Sequence, residues 1–413
     1  MPEAPQISVI IVNYNSGNFI LLALESLFRA IESVPAEILI VDNASTDNSV
    51  AQIRSIFPEV IVIQNSHNLG FAAANNIGIH QAGGEYILLI NPDTVVPEDI
   101  FTRLVNFMRE TPDAGAVGVK ILNADGSFSV DSRHSVPSPL TAFWKQIGLD
   151  RLFPKSRIFG QYNLTYLDPD ETYPVDAISG SFMFLRRQAI KQVGLLDEDY
   201  FMYCEDLDYC YRLNYAEWKV YYYPETMILH FKGVSTIKST IGYGLNFNRS
   251  LYLFYKKHFR YKFSFIMHVI ILSGVTLRGL LVYTQHQIKN VFIRLKHQLQ
   301  KSESKEKNVI WIGSVSDIEK SMEWLLSAGY RIVGIITDRP GDDKNPMHGI
   351  PVLGSVQNLN EFNLPPRIDD VICSADQFSY KSILTTMSDL SKWNLNYTIL
   401  PARINSLIVK SKI

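Results

Sequence analysis

The sequence predicts an α/β protein of more than one domain, and three observations carry that prediction. Its 413 residues exceed the length at which one hydrophobic core usually stops growing. Short β-branched and aliphatic runs alternate with stretches of helical spacing, first over the initial ~120 residues and again over 308–400. The hydrophobic share of 46% and charged share of 19% are ordinary for globular chains and exclude a disordered, collagenous or porin-like one. No internal repeat or low-complexity tract is present.

Residues 7–12, 37–41, 60–63 and 85–90 are apolar runs of strand length. Between the first two, Ile20, Leu24, Leu27, Phe28 and Ile31 keep helical spacing, and 99–109 does so after Pro97. Strands alternating with helices predict a mostly parallel sheet covered on both faces, and such sheets bind ligands at the carboxyl ends of their strands. The segments to inspect are therefore Asn13-Tyr14-Asn15-Ser16, Asp42-Asn43-Ala44-Ser45 and Asn91-Pro92-Asp93. From about 121 to 175 the pattern dissolves into Ser, Pro, Asp and aromatics, which reads as a functional loop region. Order returns at Val175 and continues through a helix-like stretch at 205–213 to a strand-like run at 221–230. Residues 263–283 have roughly the length needed to span a bilayer but contain His268 and Arg278. The polar run 301–307 (KSESKEK) reads as a linker, and strand-like runs recur at 309–312, 332–337, 371–373 and 397–400.

The formal charge of −2 names no partner and gives no reason to expect a nucleic acid. It hides an asymmetry: between Glu225 and Glu303 there are twelve Lys and Arg and no acidic residue. That window predicts contact with an anionic membrane surface, best met by an interfacial or re-entrant helix at 263–283, because a buried Arg278 near a helix centre costs roughly 2.5–3.5 kcal/mol. Cys204, Cys210 and Cys373 form no CxxC and no zinc spacing, so a reducing compartment fits. The N-terminus lacks a basic n-region, so no cleavable secretion signal is expected.

Asp42 and Asp93 both follow apolar strands, where a carboxylate can accept hydrogen bonds from a base or ribose or hold a divalent cation. The alternative for the first is that Asp42, Ser45, Thr46 and Asp47 cap the next helix. The run from Asn68 through Gly70 to Asn75 and Asn76 opens a helix with a glycine and small residues, suiting either close ligand approach or tight helix–sheet packing. Around Glu205, Asp206 and Asp208, three carboxylates in four residues are bracketed by aromatics, which can tune one toward general-base work. Pairing with Arg212 at i+4 accounts for Asp208 but not for the other two. His230 ends a strand-like run, and its value as a metal ligand depends on whether Asp93 lies nearby.

Together ISVIIVNY at 7–14, VDNASTDNS at 41–49, residues 68–79, LLINPDT at 88–94, SGSFMFLRR at 179–187, residues 201–212 and ILH at 228–230 resemble glycosyltransferase family 2, specifically its bacterial rhamnosyltransferase-like members, over about 6–260. The resemblance implies a GT-A fold and inverting transfer of rhamnose or a related hexose from a nucleoside-diphosphate sugar to a hydroxyl of a glycan or polyprenyl-linked acceptor. It implies Asp206 as base with Glu205 beside it, and a donor site of Asn13, Tyr14, Asp42, Gly70, Asn75, Asn76, Asp93 and Gly180. It also implies Mg²⁺ or Mn²⁺ at Asp93 and His230, with Asn91 in place of the first Asp of a full DXD motif and Asn75 where many relatives have Arg. A catalytically inactive scaffold that binds nucleotide sugar is the alternative. Such an enzyme would build surface polysaccharide at the cytoplasmic face of the inner membrane. The tail, through VIWIGSVSD at 309–317, RIVGIITD at 331–338 and GIPVLGS at 349–355, resembles the Rossmann-like CoA-binding-type domain found beside polysaccharide-biosynthesis enzymes, although only Gly313 survives of a GxGxxG. The expected domains are a GT-A domain at 1–260, a basic membrane-associating helical segment at 261–300, a linker at 301–307 and a Rossmann-like domain at 308–413.

Overall fold

A computed structural model of the chain describes residues 4–138, 141, 144–145, 148–232, 240–260, 307–327, 329–337, 349–356, 367–376, 378–393, 395–401 and 409–410. The expected interfacial helix at 263–283, and more than half of the basic window with it, lies outside them.

The first unit runs β1 (Ile7–Asn13), α1 (Phe19–Ala30), β2 (Ala36–Asp42), α2 (Ser49–Ile56), β3 (Ile61–Gln64), α3 (Phe71–Gln81), β4 (Tyr86–Ile90), β5 (Thr94–Val95), α4 (Ile100–Glu110) and β6 (Ala114–Leu122). After the loop region, which holds β7 (Arg133–His134), the short α5 (Leu149–Leu152) and β8 (Tyr173–Val175), follow β9 (Ala177–Ile178), β10 (Phe182–Arg186), α6 (Arg187–Val193), α7 (Glu205–Tyr215), β11 (Lys219–His230) and α8 (Thr240–His258). Among these residues the main sheet has the order β3-β2-β1-β4-β10-β6-β11-β5, with β8 against β11. β1 to β4 are parallel and β10 is antiparallel to both its neighbours, so the sheet is mixed.

Alternate residues of the continuous apolar runs supply two cores. Val9, Ile11, Ile38, Ile40 and Leu88 face Leu24, Leu27, Phe101 and Leu104 of α1 and α4. Ile10, Val12, Leu39 and Leu89 face Ala72, Ala74 and Leu207 of α3 and α7. The small residues of α3 follow from close approach, since a Cβ added at Gly78 would lie 2.5 Å from Ile10 Cγ2. β6, absent from the sequence reading, is a sheet strand whose glycines admit neighbours: a Cβ at Gly118 would lie 2.7 Å from Ile178, and one at Gly115 2.7 Å from Trp218.

The second unit comprises β12 (Lys307–Ile312), α9 (Val315–Ser327), β13 (Tyr330–Thr337), β14 (Val352–Ser355), β15 (Asp370–Ser374), α10 (Tyr380–Asp389), β16 (Asn396–Leu400) and β17 (Val409–Lys410). Its order is β14-β13-β12-β15-β16-β17, parallel except for the last strand. Lys307, expected to end the linker, is already the first residue of β12.

The two units are bolted together on the α1–α4 side. Arg29 of α1 donates to the carbonyls of Phe378 at 3.1 Å and Ala375 at 2.6 Å. Glu98 accepts from the amides of Tyr380 at 2.7 Å and Lys381 at 3.1 Å, the orphan donors at the start of α10. Lys381 pairs with Asp99 at 2.6 Å. At the far end of α10, Gly126 sits at φ +79° so close to Met387 that a Cβ would run into its carbonyl oxygen. Among the described residues no helix is long and apolar enough to cross a membrane.

Candidate active site

The carboxyl ends of the parallel strands build the site. Asn13, last in β1, donates from Nδ2 to Asp42 Oδ1 at 2.8 Å, to Ser45 Oγ at 3.1 Å and to Ser49 Oγ at 3.0 Å. Asp42, last in β2 and 2% exposed, also accepts from the Ser45 amide at 3.2 Å. It therefore fixes the loop rather than capping α2, whose first residue Ser49 is held by Asp47 through its amide at 3.2 Å and its hydroxyl at 2.5 Å. Tyr14 stands beside this pair, 37% exposed.

Gly70, preceding α3, links that loop to the carboxylate pair. Its φ of +87° and ψ of 177° belong to a region essentially reserved for glycine. A Cβ there would lie 2.5 Å from the Phe201 carbonyl oxygen, which accepts from the Phe71 amide at 2.7 Å. The Gly70 carbonyl accepts from Asn43 Nδ2 at 3.0 Å. Asn75 turns its amide back to the Phe71 carbonyl at 2.9 Å. Asn76 is 3% exposed and clamps a different loop, donating to Leu196 O and Glu198 Oε1, both at 2.9 Å, and accepting from the Leu196 amide at 3.1 Å.

Glu205 and Asp206 open α7 immediately after Tyr203 and Cys204, two consecutive non-glycine residues at φ 73° and 64°. Backbone held there costs of order 1–3 kcal/mol per residue and marks a turn that the surroundings impose. The Gly180 amide donates to Asp206 Oδ2 and the Leu207 amide to Oδ1, each at 2.8 Å. Burial raises the Asp206 pKa, and those two amides oppose the rise. Glu205 is more deeply set, and burial with the neighbouring Asp206 charge pushes its pKa well above the carboxylate range. Its Oε2 has no hydrogen-bond partner among the described residues. Asp208 pairs with Arg212 at 2.7 Å, as its spacing predicts, and also accepts from Lys257 and His258 of α8, each at 2.7 Å.

β5 and β11 bring Asp93 and His230 together, since His230 lies opposite Thr94 in the ladder. His230 Nε2 is 3.1 Å from Asp93 Oδ1 and 3.3 Å from Asn91 Nδ2. The Asp93 carbonyl accepts from the Phe231 amide at 3.0 Å, and the Asn91 amide donates to Ser181 O at 3.1 Å, tying this turn to the Gly180 turn that holds Asp206. Among the described residues no group of three or more His, Cys, Asp and Glu gathers. One carboxylate and one imidazole nevertheless fit a hard divalent cation that takes its other ligands from phosphate and water.

Three neighbours went unmarked in the sequence. Lys232, seen there only as one charge in the basic window, follows His230 by two residues and binds Ser129 Oγ at 2.8 Å and Asp131 Oδ2 at 3.0 Å. Ser129 and Asp131 lie in the loop region, and nothing in their spacing points to the site.

The model of the family described as Glycosyl transferase family 2 matches residues 8–194. The chain is 32% identical over 257 residues to the N-acetylglucosaminyl-diphospho-decaprenol L-rhamnosyltransferase of Mycobacterium tuberculosis, covering 60% of this chain and 82% of that protein. It is 30% identical over 210 residues to the low-salt glycan biosynthesis hexosyltransferase of Haloferax volcanii, covering 50% of this chain and 61% of that one. Among solved structures, the mannosyltransferase of Pyrobaculum calidifontis in complex with GDP-Man and Mn²⁺ is similar at 14% identity and a TM-score of 0.43, covering 79% of this chain and 86% of that one. The chain belongs to glycosyl transferase family 2 and is a glycosyltransferase.

Proposed function

We propose that the enzyme transfers rhamnose or a related hexose, with inversion, from a nucleoside-diphosphate sugar to a hydroxyl of a glycan or polyprenyl-linked acceptor, in synthesis of a cell-surface polysaccharide. The observation that carries this reading is the chain of contacts from Asn13 and Asp42 through Gly70 and Phe201 to Asp206, and on through Gly180 and Ser181 to Asn91 and Asp93. It supports a reading with the nucleoside at Asn13 and Asp42, the base at Asp206 and the phosphates at Asp93. Asn13, Tyr14, Asp42, Gly70 and Asn75 receive the nucleoside, with Asn76 holding the neighbouring loop.

Asp206 is the base. The acceptor oxygen bonds to the anomeric carbon from the face opposite the leaving group, its proton passes to Asp206, and the carbon–oxygen bond to the diphosphate breaks. Two backbone amides fix the carboxylate, and its raised pKa makes it a better proton acceptor than an ordinary Asp. Burial and the Asp206 charge raise the pKa of Glu205, which disfavours two adjacent charges in the pair. Asp93 and His230 would hold Mg²⁺ or Mn²⁺, which supplies Lewis-acid stabilisation of charge on the departing diphosphate. The nearness of acid and imidazole supports that role. The second unit is proposed as a Rossmann-like assembly or regulatory module, and the protein as peripheral on the cytoplasmic face of the inner membrane.

The test is incubation of purified protein with a panel of nucleotide sugars and Mn²⁺ or Mg²⁺, with nucleoside diphosphate release as readout. One donor class should be turned over by wild type and not by Asp206→Asn. Turnover by that variant above a tenth of wild type would move the base to Glu205, and no release from any donor would refute the reading.

A further inference from the structure

We propose that residues 149–160 form a prong that inserts into the interface of an anionic lipid bilayer. Single exposed apolar residues are normal, but here three large ones fall within seven positions: Leu152 is 69% exposed, Phe153 48% and Ile158 61%. Arg151, Lys155 and Arg157 are interspersed with them, all exposed, and the prong's one acidic residue, Asp150, is half-buried at its start. Apolar tips set among cations match what an interface offers, acyl chain below and phosphate above, with each cation contributing about 1 kcal/mol near an anionic surface.

The tips are held outward by a built base. Thr165 Oγ1 donates to the Pro154 carbonyl at 2.6 Å, the Gly160 amide to Ser156 O at 2.8 Å and the Thr165 amide to Gly160 O at 3.1 Å. Gly160 has no room for a Cβ, which would lie 2.6 Å from the Pro154 oxygen. Behind the tips Phe159 packs edge-on against Trp144, ring centroids 5.2 Å apart, and Lys145 lies 4.0 Å over the Tyr162 ring. A loop braced from behind could have turned its apolar side chains inward, and this one presents them with basic companions.

The root of the prong reaches the site. Ser135 donates its amide to Tyr162 O at 2.8 Å, and Asn163 donates to Val130 O at 3.1 Å, next to the Asp131 that holds Lys232. The segment behind the prong is thus hydrogen-bonded to the one that carries Asp131. The inference rests on the surface alone and is independent of the donor and acceptor assigned above.

The test uses the full chain with Ile158→Cys carrying an environment-sensitive fluorophore, since the three native cysteines are buried. It is mixed with phosphatidylcholine vesicles with and without about one-third phosphatidylglycerol. Emission should shift to the blue on anionic vesicles only and return on adding salt. A label at Tyr215→Cys, a site 86% exposed, should stay aqueous. Phe153→Ser with Ile158→Ser should weaken anionic vesicle binding by about tenfold or more while donor turnover in solution is unchanged. The proposal is overturned if the protein does not float with anionic vesicles, if it floats with the 158 label still aqueous, if both labels respond alike, or if the double variant loses less than twofold. A failed donor assay leaves every one of these readings intact.

Discussion

Asp208→Asn tests whether a buried ion network holds α7, and with it the carboxylate pair, in place. Asp208 is 0% exposed and accepts from Arg212, Lys257 and His258, each at 2.7 Å. Burial alone would raise its pKa, yet the His258 and Lys257 hydrogen bonds and the Arg212 charge bring it from 3.8 down to about 2. At about 1.4 kcal/mol per pH unit, that depression is worth roughly 2.5 kcal/mol at neutral pH. The variant should not reach the 3–5 kcal/mol of a fully orphaned buried charge. Lys257 keeps Asp197 at 2.6 Å, and Arg212 keeps the carbonyls of Val193 and Leu195 at 3.1 and 2.9 Å. An expected loss of about 2–3 kcal/mol in α7 opening follows, readable by hydrogen exchange of its amides at pH 7. The folded pKa is the lower one, so the contribution is complete above 3.8 and is lost as pH falls toward about 2. The gap between wild type and variant in urea denaturation should therefore close from about pH 5 downward. A gap below about 0.5 kcal/mol at pH 7, or one that does not shrink in acid, would refute the reasoning.

Gly70→Ala should cost about 1–3 kcal/mol from its backbone region alone and raise the donor KM, checked by denaturation and initial-rate kinetics. Because burial raises the Asp206 pKa, the acid limb of kcat/KM should lie above 3.8, with rate rising as pH rises through it. Asp93→Ala should remove the metal dependence of donor binding, and wild-type binding that survives EDTA unchanged would defeat the assignment. Gly126→Ala should drive the end of α10 from its seat and speed hydrogen exchange there without altering α3.

The parallel strands of the first sheet were legible because a strand buried on both faces must be almost continuously apolar, as 9–12 and 86–90 are. β6 was not, because its Gly115 and Gly118 serve close neighbours and break the β-branched run by which a strand is recognised. The placement of Asp42, Asp93 and Asp206 at strand ends and a helix start was legible because those boundaries have a local pattern in the chain. Lys232, Ser129 and Asp131 were not, because a hydrogen bond between positions about a hundred residues apart leaves no local spacing. Of the two readings of the helix that Asn68–Asn76 opens, the structure displays the close packing: Gly70 turns toward Phe201 and Gly78 admits Ile10.

The contacts of Arg29, Glu98 and Asp99 with the start of α10 have a consequence for how the chain can be cut. Buried side chains of both sheets, Leu24 and Phe101 on one side and Ile383 and Leu384 on the other, belong to a single apolar cluster. A fragment ending near residue 260 would present that cluster to water along with a guanidinium and a carboxylate whose backbone partners were gone. It would behave as a broken half and not as a minimal enzyme. Whatever ancestry joined the two sheets, the junction is now written into residues of each, so neither can be exchanged for a relative's without rewriting the other.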